Sequence, residues 1–241
     1  MGRATASRRE WTRAELITLF GSVPMFSRLP EPQLESIATA AERKVYPRGS
    51  LIIQQGTEGD GLYVVARGCV LVKREARTGG HRALHVIEAP GSFGELALLD
   101  NRPRSASIEA LEVSEVFAIS RTAFLSLLSR DPRLIDGVVR ELGRTIRRLS
   151  DQVADDGLLD LPARVAKTLL RLVDNHDGSA AHGGLPVVSL TQGKLADLAG
   201  GSRQSVNAAL SSFVARGLIH VDGRTIVITD LAGLRGRAGV A

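Results

Sequence analysis

Cysteine is almost absent from this sequence: Cys69 stands alone among 241 residues. An internal disulfide framework is therefore excluded, and so is any centre held by several thiolates, such as a zinc ribbon or a four-cysteine iron–sulfur cluster. Long apolar runs are missing too, with nothing near the roughly 18 residues that mark a membrane-spanning helix. No charged-then-apolar leader follows Met1, so the expectation is a cytoplasmic chain in a reducing compartment with no membrane partner. Histidine is scarce, at five residues. No Ser/His/Asp or Cys/His arrangement can be assembled from these and Cys69, which lies in a β-forming run and reads as core. A cupin-like metal site would want two histidines one residue apart, with a carboxylate and a third histidine on converging strands. Here His81 and His85 are four apart and Glu88 is the only nearby acid. The expectation is no metal, no required cofactor and no enzymatic activity.

What is present is a chain long enough for two ordinary domains, 44% hydrophobic and 24% charged. Its net charge of +5 is unevenly spread: residues 21–160 sum to −1 and residues 161–241 to +4. A near-neutral front and a basic tail is the asymmetry expected if only the last third meets a polyanion. Arginine outnumbers lysine 27 to 4, which suits phosphate recognition by forked donors and equally reflects a GC-biased genome.

The hydrophobic pattern changes three times along the chain. Residues 1–10 are small, polar and basic and read as a tail. Apolar residues then recur at helical spacing from Trp11 to Phe26 and from Glu31 to Ala41, broken by Pro24 and Pro30. From Arg43 to Ser120, short β-forming runs alternate with turn signals such as Pro47-Arg48-Gly49, Gly59-Asp60-Gly61 and Thr78-Gly79-Gly80. A strand about every ten residues predicts an all-β sandwich or roll. Ile135, Val138, Leu142, Ile146, Leu149 and Val153 then follow one another at intervals of three and four, the narrow seam of a helix that faces one partner helix, the favoured reading, or lies on the β-domain. Past a boundary near Asp160, a further helix (Arg164 to Val173) and a loop through Gly184 open the last segment. The divisions are residues 1–20 (tail and start of the first helix), 21–130 (a β-rich domain), 131–160 (the seam helix and a hinge) and 161–241 (a second, basic domain).

The last segment carries the strongest signal. In Thr191 to Leu210, Leu195 and Leu198 form the apolar stripe of one helix, and Val206, Leu210 and Phe213 that of the next. Gly200-Gly201 ends the first helix and Ser202 caps the second, and small Ala196 permits the close crossing of a helix-turn-helix. The second helix of such a pair enters the DNA major groove, where Arg203 can grip a guanine, Gln204 an adenine, and Asn207 or Ala208 meets the next base. Two β-runs flanking Asp222-Gly223 add a hairpin, making the unit a winged helix. Arg224 at its tip and Thr191 and Gln192 at the start of the first helix are candidate phosphate contacts.

In the front half, the stretch from Gly91 to Ser107 sets a Gly-flanked glutamate and an Arg-Ser pair around a short apolar turn. Gly94, Glu95 and Leu96 can turn backbone N–H groups toward an anion, Arg104 supplies charge and Ser105 a hydroxyl. Glu95 would repel bare phosphate but accept hydrogen bonds from a ribose, so a sugar phosphate suits the set. The bland alternative is a Glu95–Arg104 ion pair that closes the loop.

From about Met25 to Thr229 the chain resembles the cyclic-AMP receptor protein and fumarate–nitrate regulator superfamily of bacterial transcription factors. The resemblance rests on Pro47-Arg-Gly49, Gly56 through Gly61, Gly68, Phe93-Gly-Glu-Leu96, Pro103-Arg-Ser-Ala106, the seam helix and Ser202-Arg-Gln-Ser-Val206. It implies an α+β fold: an N-terminal cyclic-nucleotide-binding β-roll with flanking helices, a long dimerisation helix and a C-terminal winged helix-turn-helix. By that match Gly94 and Glu95 hold the ribose side of a nucleotide, and Arg104 and Ser105 its cyclic phosphate. The family's base-reading Thr-Ser pair on the dimer helix is matched by Leu149-Ser150, and its Arg-Glu…Arg DNA triad by Arg203, Gln204 and Ala208.

The implied function is a homodimeric regulator, activator or repressor, that joins through residues 131–156 and binds pseudo-palindromic double-stranded DNA. A cyclic nucleotide, cyclic AMP favoured, would be its effector and RNA polymerase a possible further partner. The alternative is a ligand-independent regulator of the same architecture, for which the apolar Leu149 is the best support.

Overall fold

The computed structural model describes residues 10–75, 81–175, 181–182 and 185–239. The Thr78-Gly79-Gly80 turn, nearly all of the N-terminal tail over residues 1–10 and most of the loop before Gly184 lie outside the described residues. Along the chain run α1 (Arg13–Ser22), α2 (Glu31–Ala40), β1 (Ala41–Tyr46), β2 (Leu51–Ile53), β3 (Gly61–Arg67), β4 (Cys69–Glu75), β5 (His81–Glu88) and β6 (Gly91–Phe93). There follow α3 (Leu96–Leu99), β7 (Ser107–Ala110), β8 (Ser114–Ser120), α4 (Arg121–Arg130), α5 (Pro132–Leu158) and α6 (Leu161–Asn175). Last come β9 (Ala181–His182), β10 (Leu185–Ser189), α7 (Gln192–Ala199), α8 (Arg203–Ala215), β11 (Ile219–Asp222), β12 (Thr225–Ile228) and α9 (Leu231–Ala238). No helix among the described residues is long and apolar enough to cross a membrane. The chain divides into two compact units, residues 1–70 with 86–144 and residues 71–85 with 145–241.

The first unit is built on an antiparallel sheet in the order β1-β8-β3-β6, beside which β2 pairs with β7. Strand β3 is buried along nearly its whole length, because helices cover the face that the alternating pattern would otherwise leave to water. Phe20, Phe26, Ile37, Leu62, Phe117 and Phe124 form its centre, with Phe20 edge-on to Phe26 and Phe117. Helix α1 begins with a capping box, Glu15 N–H donating to Thr12 Oγ1 at 3.2 Å and Thr12 N–H to Glu15 Oε2 at 2.9 Å. Just before it, Trp11 Nε1 donates to the buried carboxylate of Glu115, which also pairs with Arg43.

Helix α5 corrects one member of the expected seam. Val138 is 4% exposed and packs with Leu134 into the first unit's core, so it is not on the outer stripe. Its neighbour Val139 is 59% exposed instead. Ile135, Val139, Ile146, Leu149 and Val153 stand exposed, and with half-buried Leu142 they follow a regular four-three repeat. The error came from choosing between two adjacent valines, both of which fit a three-or-four rule.

In the second unit the sheet order is β11-β12-β10-β9, with β10 antiparallel to β12. Helices α6, α7 and α8 bury Val165, Leu169, Leu195, Val206 and Phe213 together. Strands β9 and β10 and helices α4 and α9 were not anticipated. The loop expected through Gly184 contains the two-residue β9, which pairs His182 with Leu185 and Ala181 with Pro186.

Candidate functional site: an arginine-centred loop and a recognition helix

Within the first unit, the chain leaves β6 through Gly94, turns one helical circuit in α3 and returns by Asn101 to Arg104. Gly94 has φ 92°, and a Cβ there would lie 2.6 Å from Arg104 Nη1 and 3.2 Å from the Gly61 carbonyl oxygen, so only glycine lets the arginine in. The backbone of Arg104 is fastened on both sides: its N–H donates to Thr57 O at 2.8 Å, and its carbonyl accepts from Gly56 N–H at 2.9 Å. Its side chain is 4% exposed. Nη1 donates to Gly94 O at 2.7 Å, while Nη2 donates to Gly61 O at 2.8 Å and to Asp60 Oδ1 at 2.6 Å. Tyr63 lies under the guanidinium, 5.6 Å from its ring centre, stacks on Phe93 and donates its hydroxyl to Asp60 Oδ2 at 2.8 Å.

The charges of this cluster are interdependent. Burial opposes the charged form of Asp60, but hydrogen bonds from Tyr63 and Arg104 outweigh it and hold the carboxyl below its usual range. Burial pushes the Tyr63 phenol up, and its bond to Asp60 adds to that. A second arginine, Arg121, closes the loop from outside by donating to Ala97 O at 3.2 Å and to Asn101 Oδ1 at 3.1 Å.

Of the residues singled out in the sequence, Gly94 and Arg104 touch, Glu95 is the half-buried N-cap of α3, and Leu96 and Ser105 are exposed nearby. Leu149 and Ser150 are exposed on α5. Arg104 forms its ion pair with Asp60. The sequence marks Asp60 and Gly61 only as a turn and as part of the Gly56–Gly61 motif, without a role at the site, and gives Tyr63 none. Cys69, read from the sequence as core, is only half-buried at the start of β4; burial first and Glu112 second push its thiol up to about 12.

In the second unit, α7 starts at Thr191, whose hydroxyl accepts from Lys194 N–H, and ends at left-handed Gly200. Ser202 caps α8, its Oγ accepting from Ser205 N–H at 3.0 Å. The buried stripe of Val206, Ala209, Leu210 and Phe213 turns Ser202, Arg203, Gln204 and Ala208 to the outside. Asn207 departs from the expected exposure: its Oδ1 is enclosed and without a partner, because residue 207 adjoins the buried stripe at Val206. Thr191 and Gln192 are half-buried at the start of α7, and Arg224 is exposed.

The wing differs from the expected turn by one residue. Asp222 pairs with Thr225, so the two loop residues are Gly223 and Arg224, with φ 58° at Gly223. That fits a type II′ turn, which takes glycine first.

Also in this unit, His85 on β5 has an enclosed Nδ1 with no hydrogen-bond partner. Burial, reinforced by the charge of Arg148, lowers its pKa to about 3, so it is neutral under ordinary conditions. His81 Nε2 lies 3.2 Å from Asp197 Oδ2. Among the described residues no group of three or more His, Cys, Asp or Glu side chains is placed to hold a metal ion.

Both halves match known families in the order in which they occur. Residues 43–131 match the cyclic nucleotide-binding domain and residues 163–237 the Crp-like helix-turn-helix domain. The chain is 37% identical over 196 residues to the CRP-like cAMP-activated global transcriptional regulator of Mycobacterium tuberculosis, spanning 80% of this chain and 86% of that one. It is 30% identical over 209 residues to the cyclic AMP receptor protein of Thermus thermophilus, spanning 87% and 94%. The fold is shared with the solved c-di-GMP responsive global regulator CLP of Xanthomonas campestris, at a TM-score of 0.73 and 21% identity over 83% of this chain and 99% of that one. A cyclic nucleotide-binding half followed by a Crp-like DNA-binding half, over most of a 37%-identical regulator, places the chain in the CRP/FNR family: it is a DNA-binding transcription regulator and not an enzyme.

Proposed function

We propose that the protein is a homodimer whose DNA affinity is set by a cyclic nucleotide, with cyclic AMP the favoured effector. The observation that carries this is Arg104, a buried guanidinium held at the glycine turn by acceptors that include a single carboxylate, Asp60. Three of its five N–H donors are taken by these partners. A cyclic phosphate offers the same charge-assisted hydrogen bonds as Asp60 and would compete with it for the guanidinium. In this reading Ser105 adds a hydroxyl, Gly94 and Glu95 receive the ribose, and Leu96 contributes its backbone N–H. Support for cyclic AMP comes from the Mycobacterium and Thermus relatives named for it.

Residues 21–130 are assigned as the sensor, 131–160 as the dimerisation helix and hinge, and 161–241 as the DNA-binding domain. The exposed stripe of Ile135, Val139, Ile146, Leu149 and Val153 supports self-association, since covering apolar side chains is favourable, by at most about 1.5–3 kcal/mol each, the value for complete burial of a fully exposed one. Leu149 and Ser150 on that helix would meet the base, and a change there would alter the spacing of the two recognition helices. Ser202, Arg203, Gln204 and Ala208 face base edges or nearby phosphates, and Thr191, Gln192 and Arg224 the backbone. Operator half-sites would lie about one helical turn apart. A nucleotide acts only by preferring one dimer state; equal affinity for both would change nothing.

The test pairs calorimetric titration of the full chain with cyclic AMP, cyclic GMP and cyclic di-GMP with binding to a duplex library at fixed salt. Tighter specific binding with one nucleotide is expected. Specific binding indifferent to all three would favour the ligand-independent reading, for which an apolar Leu149 at the base-reading position argues, and absent specific binding would overturn both.

A further inference from the structure

In the second unit, two consecutive residues of β5 engage charged groups around the helix-turn-helix. His81 meets Asp197 on α7, and Arg82 pairs with Asp156 near the end of α5. Asp156 is shared: its Oδ1 lies 3.8 Å from Arg164 Nε on α6. Arg164 in turn donates to the carbonyls of Ala199 at 3.0 Å, Gly200 at 3.2 Å and Leu159 at 2.9 Å. The first two of these are at the C-terminal end of α7, where a helix leaves carbonyls without partners of its own.

Arg82 and Asp156 also lie close to the turn. A Cβ added at Gly200 would stand 3.3 Å from Arg82 Nη2 and 3.7 Å from Asp156 Oδ1. Gly201 is pressed against Leu161, whose side chain would be 2.6 Å from a Cβ there. The turn is thus gripped from two sides, two residues before the cap of the recognition helix.

We propose that Asp156 is a positioning residue: by bridging Arg82 and Arg164 it ties strand β5 to the turn of the helix-turn-helix and sets where Arg203 and Gln204 stand. The Arg82–Asp156 arm of the bridge adds little to stability. Arg82 and Asp156 are 49% and 34% exposed, and ion pairs so placed contribute little to folding. The other acids of this hinge bind other elements: Asp155 takes Lys167 of α6 at 2.6 Å and Asp160 takes Arg237 of α9 at 2.8 Å. Only Asp156, among these three, reaches β5. This positioning role does not depend on the cyclic-nucleotide reading.

A double-mutant cycle in the full-length protein tests this, using Arg82→Ala, Asp156→Asn and the pair together. Affinities are measured at fixed salt for a duplex selected by the wild type from a random library and for an unrelated duplex, with and without cyclic AMP. Each single substitution is expected to change the ratio of specific to non-specific affinity by threefold or more. The double variant should match a single one within twofold, and Asp156→Glu should restore the ratio. Ratios that do not move, or effects that multiply as two independent surface charges would, overturn the proposal. Wild-type affinity indifferent to cyclic AMP would remove the gating reading alone, because the cycle is read from DNA binding in either case.

Discussion

Arg104 and Arg203 are the same residue in opposite settings. Arg104 is 4% exposed, with three acceptors and an aromatic ring already around it. Arg203 stands exposed in the first turn of α8, beside the positive end of the helix, where a cation is disfavoured unless an anion comes to it. On the proposed reading, the contrast separates two ways of recognising phosphate-bearing ligands: the arginine for a small, enclosed ligand is oriented in advance beside an exchangeable carboxylate, and the arginine for long, hydrated DNA waits in solvent to be ordered by the duplex.

The sharpest break of this contrast is Arg104→Ala. It is expected to weaken cyclic AMP binding by about a hundredfold or more, since it removes charge and fork together, while ligand-free DNA affinity stays put; calorimetry and duplex titration read the two. Next is the pH profile of the other enclosed cation-former, His85. Its folded value of about 3 lies below the ordinary 6.5, so the unfolded chain takes up the proton first and stability falls as pH drops below 6.5. The loss between pH 6.5 and 5 is about 2 kcal/mol, and urea unfolding should show it in the wild type and not in His85→Phe.

A smaller effect is expected for Arg203→Ala, about tenfold in affinity and confined to one guanine position. A binding-site selection reads it, and a uniform loss across sequences would mean a phosphate contact instead. Smallest is Ser202→Ala, which removes the cap that orients α8 and should lower unfolding stability by about 1 kcal/mol.

The DNA-binding half was the more legible in the sequence, because its information is local. Thr191, Gly200 and Ser202 do their work within three or four residues of themselves, and the structure has each where the pattern put it. Wing register missed by one residue, since Asp222-Gly223 and Gly223-Arg224 are both acceptable turn pairs until a partner strand chooses. In the other half, the cassette around Gly94 and Arg104 was visible, yet its partners Asp60 and Tyr63 were not legible as such, because they lie just before and within a strand some forty residues earlier. Seam periodicity predicted the helix and missed Val139, since three-or-four spacing cannot say which of two adjacent valines faces the core.

By itself, then, the sequence determined the order of parts, the helix caps, the recognition helix and the family, all of which rest on spacing and on the conformational limits of glycine, proline and small polar side chains. Tertiary structure alone decided which carboxylate meets Arg104, which valine leaves the core, that Asn207 turns inward and that Asp156 joins Arg82 to Arg164. Each of those depends on a contact between residues far apart in the chain, where burial and charge select one partner among several that the sequence allows equally.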